Sequence, residues 1–130
     1  MGYTIFRIDE LVFQAPKRGD QSRGIAALSG AMQAMRANIW RLPPGVRGAR
    51  HIEHAQEEMF IVLRGTVTLL LGDPAERVAL SAGSVAVVGT DTGQQLRNEG
   101  ETEAFVLVVG APPEQGRAEH LPDIDEPPAD

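Results

Sequence analysis

The sequence predicts a single all-β domain, and three observations carry that expectation. Between Ala37 and Gly110 there are several apolar runs of strand length, "ANIWRL", "MFIVL", "TVTLLL", "SVAVV" and "AFVLVV". Turn-forming residues punctuate them at roughly eight- to twelve-residue intervals, the spacing of an antiparallel sandwich or barrel. No segment sustains the apolar spacing of a long amphipathic helix.

Taken in order, residues 1–36 read as N-terminal strands or an arm: "YTIFRI" and "LVF" precede the polar stretch "PKRGDQSRG". "ALSGAMQAM" is ambiguous, because Leu28, Met32 and Met35 fit a helical stripe that Gly30 weakens; a strand is expected from about Met35. "ANIWRL" ends at "PPG". "MFIVL" and "TVTLLL" meet at Arg64-Gly65, and "GDPAE" turns the chain toward "RVAL". "SVAVV", "QQLRN" and "AFVLVV" follow. The near-continuous apolar runs suggest strands covered on both faces or buried at a dimer contact. Residues 111–130 are rich in proline and acid, which suits an extended tail over the surface or free of it. His120 in that tail is expected to be solvated.

Length and composition bound the function. At 130 residues the chain is one domain with a core large enough to fold without a metal or disulfide. Cysteine is absent, which excludes thiolate ligands, disulfides and a cysteine nucleophile. The net charge of -6 argues against a nucleic-acid partner. No apolar run approaches the ~20 residues of a membrane span. "MGYTIFRIDE" lacks the basic and apolar regions of a secretory signal, so a cytoplasmic location and no membrane partner are expected. No serine sits in a G-x-S-x-G context, and neither "GDQSRG" nor "GVRG" makes a phosphate loop.

The chemistry concentrates in "HIEHAQEEMF", residues 51–60. On a strand, His51 and Glu53 share a face. Glu58 shares parity with Phe60 and Val62, and Gln94 with Leu96 and Asn98, so each points inward if those apolar residues do. An inward carboxylate needs a partner. A divalent cation would supply one; so would Arg36, Arg41, Arg47, Arg50 or Arg97, with no metal at all. Glu57 reads as a solvated loop residue. Trp40, at the parity of Arg36 and Asn38, reads as core in preference to a pocket mouth. Met59, Phe60, Ile61 and Leu63 read as barrel packing.

These residues resemble the cupin family of double-stranded β-helix (jelly-roll) barrels over roughly residues 37–110. The family's first motif is G-x5-H-x-H-x3-4-E-x6-G. Here Gly45, His51, Glu58 and Gly65 hold its spacing, with Glu53 where the second histidine usually stands. The second motif is G-x5-P-x-G-x2-H-x3-N. Gly83 and Asn98 match it, while Gly89, Asp91 and Gln94 replace the proline, glycine and histidine.

The resemblance implies a divalent metal (Mn, Fe, Zn or Ni) held by His51, Glu53, Glu58 and Gln94, a harder donor set than three histidines. A second set, His51, His54 and Glu58, would resemble a two-His-one-carboxylate triad if the loop slips by one residue. The cupin reading further implies a small-molecule ligand and a homodimer paired through sheet edges and barrel faces. A metal here would serve a dioxygenase, isomerase or cyclase. Without metal, Glu58 and His51 would form an acid–base pair, or the pocket would bind or sense a metabolite without turnover. A purely structural dimer with a filled barrel would have no cavity.

Overall fold

The computed structural model describes residues 2–17, 20–113 and 118–124. Among them, ten strands form two five-stranded antiparallel sheets. In chain order these are β1 (Gly24–Ala27), β2 (Arg36–Leu42), β3 (His51–Glu53), β4 (Glu57–Arg64) and β5 (Thr66–Leu71). There follow β6 (Glu76–Ser81), β7 (Val85–Val88), β8 (Gly93–Arg97), β9 (Ala104–Ala111) and β10 (Ala118–His120). The first sheet runs β1-β2-β9-β4-β7 and the second β10-β3-β8-β5-β6. No helix among the described residues is long and apolar enough to cross a membrane.

The core lies between the sheets. Leu42, Phe60, Val62, Val67, Leu69, Leu96, Val106 and Val108 form one buried cluster. Alternation explains the membership: β4 buries Glu58, Phe60 and Val62 while Glu57 and Met59 face out. The central strand β9 is apolar on both sides because both sides are covered. Val106 and Val108 enter the inter-sheet core, whereas Phe105, Leu107 and Val109 meet a second cluster. There, Ile8, Leu11 and Phe13 of the N-terminal arm pack with Ala26, Ala37, Ile39 and Phe105 over the outer face of the first sheet.

The ambiguous "ALSGAMQAM" resolves into a 3-10 turn, Ser29–Ala31, before β2 begins at Arg36. Ser29 supplies the reason. Its Oγ accepts from the Ala37 amide at 3.1 Å and donates to the Ala37 carbonyl at 3.2 Å, satisfying strand groups that a helix would use otherwise.

The tail does more than lie on the surface. β10 pairs with β3 in the register His120↔His51, adding an edge strand to the second sheet. Asp123 then pins the chain beyond it. Its carboxylate accepts from Arg47 at 2.8 Å, Gln95 at 2.8 Å and Arg97 at 3.3 Å. Arg97 and Gln95 are both buried. Residues 114–117 and 125–130 of the tail lie outside the described residues.

Candidate metal-binding pocket

A cross-strand pair and two strands of the opposing sheet assemble the site. In the β3–β8 ladder His51 stands opposite Gln94, so both side chains leave the same face of the second sheet. Glu53, two residues on, shares that face. From the opposing sheet, β4 contributes Glu58 and Phe60, and β2 contributes Arg36 and Trp40 on the parity of the core residue Leu42. All seven line one cavity of about 210 Å³ between the sheets. The barrel is therefore not filled.

The imidazole is oriented by its backbone contact. His51 Nδ1 lies 3.0 Å from the Ala49 carbonyl oxygen, which can only accept, so Nδ1 carries hydrogen and Nε2 faces the carboxylates. Nε2 is 3.4 Å from Glu53 Oε2 and 3.6 Å from Glu58 Oε1. Arg36 Nη2 approaches from the other side, 3.0 Å from Glu58 Oε2 and 3.6 Å from Glu53 Oε2. Arg36 Nε donates to Gln56 Oε1 at 2.8 Å. This guanidinium lies over Gly110, where a Cβ would sit 3.2 Å from Arg36 Cζ and 3.0 Å from Gln56 Oε1.

Electrostatics follow from that contact set. Burial disfavours a charged imidazole, but the two carboxylates and the Ala49 carbonyl outweigh it and raise the His51 pKa to about 10. Burial likewise pushes the Glu58 carboxyl up, and His51 with Arg36 more than offsets this, leaving it below its ordinary value. Glu58 is 4% exposed, and its Oε1 has no hydrogen-bond partner.

A divalent cation fits this arrangement. The donor atoms of His51, Glu53 and Glu58 lie within 4.8 Å of one another. Bonds of ~2.1 Å to a shared ion place neighbouring donors roughly 3–4 Å apart, and the two nitrogen–oxygen separations already fall there. Gln94 adds a carboxamide at the same wall, whose oxygen would be a further donor; its buried Nε2 has no hydrogen-bond partner.

The other sequence-predicted residues are placed apart. His54 points to the outside, where one ring nitrogen meets Asp91 Oδ1 at 2.6 Å and the other Glu119 Oε1 at 2.8 Å. Strand alternation carries it away from His51, so the set His51, His54 and Glu58 is not assembled. Glu57 is exposed. Trp40, expected in the core, both packs against the core cluster and lines the cavity. Arg23 and His120 also line it; sequence reasoning placed neither in the site, and His120, expected to be solvated, is exposed on β10. For His120 the signal lay only in long-range pairing: it stands opposite His51, with ring centroids 6.3 Å apart.

A jelly-roll barrel with an imidazole–carboxylate cluster between its sheets defines the class. The family model of the cupin domain matches residues 38–110, and the chain belongs to the cupin family. Solved structures share the fold. A sugar phosphate isomerase of the cupin superfamily from Silicibacter pomeroyi superposes with a TM-score of 0.72 at 24% identity, over 83% of this chain and 75% of that one. An uncharacterized conserved protein with a double-stranded β-helix domain from Klebsiella pneumoniae gives 0.74 at 20% identity, over 93% and 99%. A predicted oxalate decarboxylase from Thermotoga maritima gives 0.72 at 21%, over 83% and 98%. No curated protein matches the chain by sequence.

Proposed function

We propose that the cavity is a ligand site built around one divalent cation, held by His51, Glu53 and Glu58 with Gln94 completing the donor set, and that the protein acts on a small organic molecule there. The observation that carries this reading is the convergence of three donor groups within 4.8 Å inside a cavity, one of them a buried carboxylate whose Oε1 has no hydrogen-bond partner. A cation bound there would supply Lewis-acid polarisation of a ligand oxygen.

The chain's own groups have separate tasks in this reading. Arg36, itself held by Gln56 Oε1, binds the outer oxygen of Glu58 and fixes the carboxylate so that Oε1 faces inward. Phe60, Leu96 and Val108 exclude water from one wall. His51 Nε2 and Glu58 Oε1, 3.6 Å apart, would share a proton on closing by about 0.5 Å when no metal lies between them. The similarity to a sugar phosphate isomerase and a predicted oxalate decarboxylase is in keeping with metal-assisted chemistry on a small oxygen-rich molecule. Within that class an isomerase fits the carboxylate–imidazole pair, which can move a proton along a substrate.

A second reading has its own support. Arg36 and a protonated His51 already balance Glu53 and Glu58 without a metal, as a metal-free binding module would need.

Calorimetric titration of chelator-stripped protein with Mn, Fe, Zn and Ni separates the two. Metal binding predicts a one-to-one isotherm for at least one ion, abolished in His51→Ala and weakened at least about 10-fold in Gln94→Ala. No isotherm and no thermal shift with any of the four ions would leave the binding module.

A further inference from the structure

The outer face of the first sheet is apolar from β2 to the edge strand β7. Across the ladders, Ala37, Val109, Met59 and Val87 stand in one row and Ile39, Leu107, Ile61 and Val85 in the next. The N-terminal arm covers the β2–β9 half, where Ile8, Leu11 and Phe13 complete the cluster that Leu107 and Val109 join. The cover stops there. Val85 and Val87 on β7 are 54% and 70% exposed, and Met59 and Leu63 on β4 are exposed as well.

A sheet face that meets water ordinarily carries polar side chains, and an edge strand is ordinarily guarded by lysine, proline or a bulge. β7 is the edge of its sheet and reads Val-Ala-Val-Val, with none of these. The arm supplies a second bare surface. Residues 2–7 are exposed throughout, Tyr3 to 86%, with Ile5 and Phe6 close by in the chain. Among the described residues, every exposed large apolar side chain except Met35 belongs to β4, β7 or residues 3–12. Together they present on the order of 800 Å² of mostly apolar area, about what each partner buries in a stable interface and more than the patch usual on a monomer.

Arm and bare face complement each other within one chain, and the arm leaves a step on the sheet that a second copy can fill. A two-fold axis parallel to the strands sets the bare half of each sheet over the arm-covered half of the other. Charge favours the same contact. The face is uncharged between Glu57 and Arg64 at the two ends of β4, in a chain of net charge -6, so two copies repel each other least there. We propose that the protein is a two-fold dimer in which Tyr3, Ile5 and Phe6 of each arm pack on the β4–β7 face of the partner subunit. The cavity opens between the sheets, on the opposite side of β4, so the dimer forms without metal or ligand.

Sedimentation equilibrium of the full chain should show a monomer–dimer equilibrium with a dissociation constant below about 100 µM. Val85→Lys combined with Val87→Lys puts unpaired charge on the face and should weaken the dimer at least about 10-fold. Tyr3→Ser combined with Ile5→Ser should weaken it to a similar degree. Met35→Ser, which changes an exposed apolar residue elsewhere, should leave it unchanged. All these side chains are exposed in the single chain, so each variant should keep the wild-type circular dichroism; Val87→Ser decides if the lysine pair does not fold. The seating of the arm is read separately. A nitroxide attached to Thr4→Cys, in a chain with no other cysteine, is mixed with isotope-labelled wild type and should broaden the Val85 and Val87 methyl signals across the subunits. A monomer at about 500 µM leaves the face to a different protein and overturns the proposal. So does a dimer indifferent to either pair of changes, or one without that broadening.

Discussion

Arg36 Nη2 lies 3.0 Å from Glu58 Oε2, while the other oxygen of the same carboxylate, Oε1, faces His51 at 3.6 Å. One carboxylate is thus divided between a permanent cation behind it and an exchangeable one in front. Arg36→Gln removes the permanent partner and leaves a nearly inaccessible charge less compensated. Stability of the metal-free protein should fall by about 2–3 kcal/mol in urea unfolding. The same change removes positive charge next to the donor oxygens, so Mn should bind more tightly and restore more stability than in wild type.

Gly110→Ala tests the support of Arg36 from the backbone side. A methyl group there would meet Arg36 Cζ at 3.2 Å and Gln56 Oε1 at 3.0 Å, so both side chains must give by a few tenths of an ångström, which loosens the hold of the guanidinium on the carboxylates. The expected loss is about 1–2 kcal/mol, typical of overpacking at a close contact. Mn affinity should move in the same direction as in Arg36→Gln. A destabilised variant with unchanged Mn affinity would separate the glycine from the site.

Much of the barrel was legible because its signals are local. The runs ending at "PPG" and at Arg64-Gly65 became β2 and β4, since alternation and turn residues act over a few positions. The shared faces of His51 with Glu53, and of Glu58 with Phe60, followed from the two-residue period of a strand. Arg36 stood among five arginines that could pair with Glu58, and sequence offered no way to choose; the choice comes from β2 and β4 both flanking β9. Arg23, His120 and the Asp123 anchor were not legible at all. Each reaches the pocket or the second sheet through pairings between segments far apart in the chain, and proline-rich composition hid the strand at Ala118–His120.

Asp123→Ala should release the segment that carries His120. The carboxylate gathers Arg47, Gln95 and the buried Arg97. Being partly solvent-exposed, it contributes on the order of 1 kcal/mol after screening. Burial raises its pKa, but the bonds from Arg47 and Gln95 prevail and lower it. A carboxyl with a lowered folded pKa stabilises above its unfolded value, and that contribution disappears as pH falls through the folded pKa. The variant should therefore lose stability at neutral pH and converge with wild type in acid. Hydrogen exchange at the Leu121 amide, bonded to the Arg50 carbonyl at 2.9 Å, should accelerate at neutral pH.

His51 predicts the opposite slope in base. Its pKa is raised from 6.5 to about 10, because Glu53 and Glu58 overcome the effect of burial. A group raised in this way binds more proton in the folded state than in the unfolded one, so its contribution is complete below the unfolded pKa and declines as pH rises toward the folded value. Metal-free protein should lose stability progressively between pH 6.5 and about 10. His51→Asn removes the titrating ring, and its stability should be flat over that interval relative to wild type. Saturating Mn should flatten the wild-type profile too, since the ion takes the place of the Nε2 proton and binding releases it to solvent. Urea unfolding at four pH values, with and without Mn, reads all three slopes. An equally steep decline in His51→Asn would place the alkaline sensitivity elsewhere in the barrel.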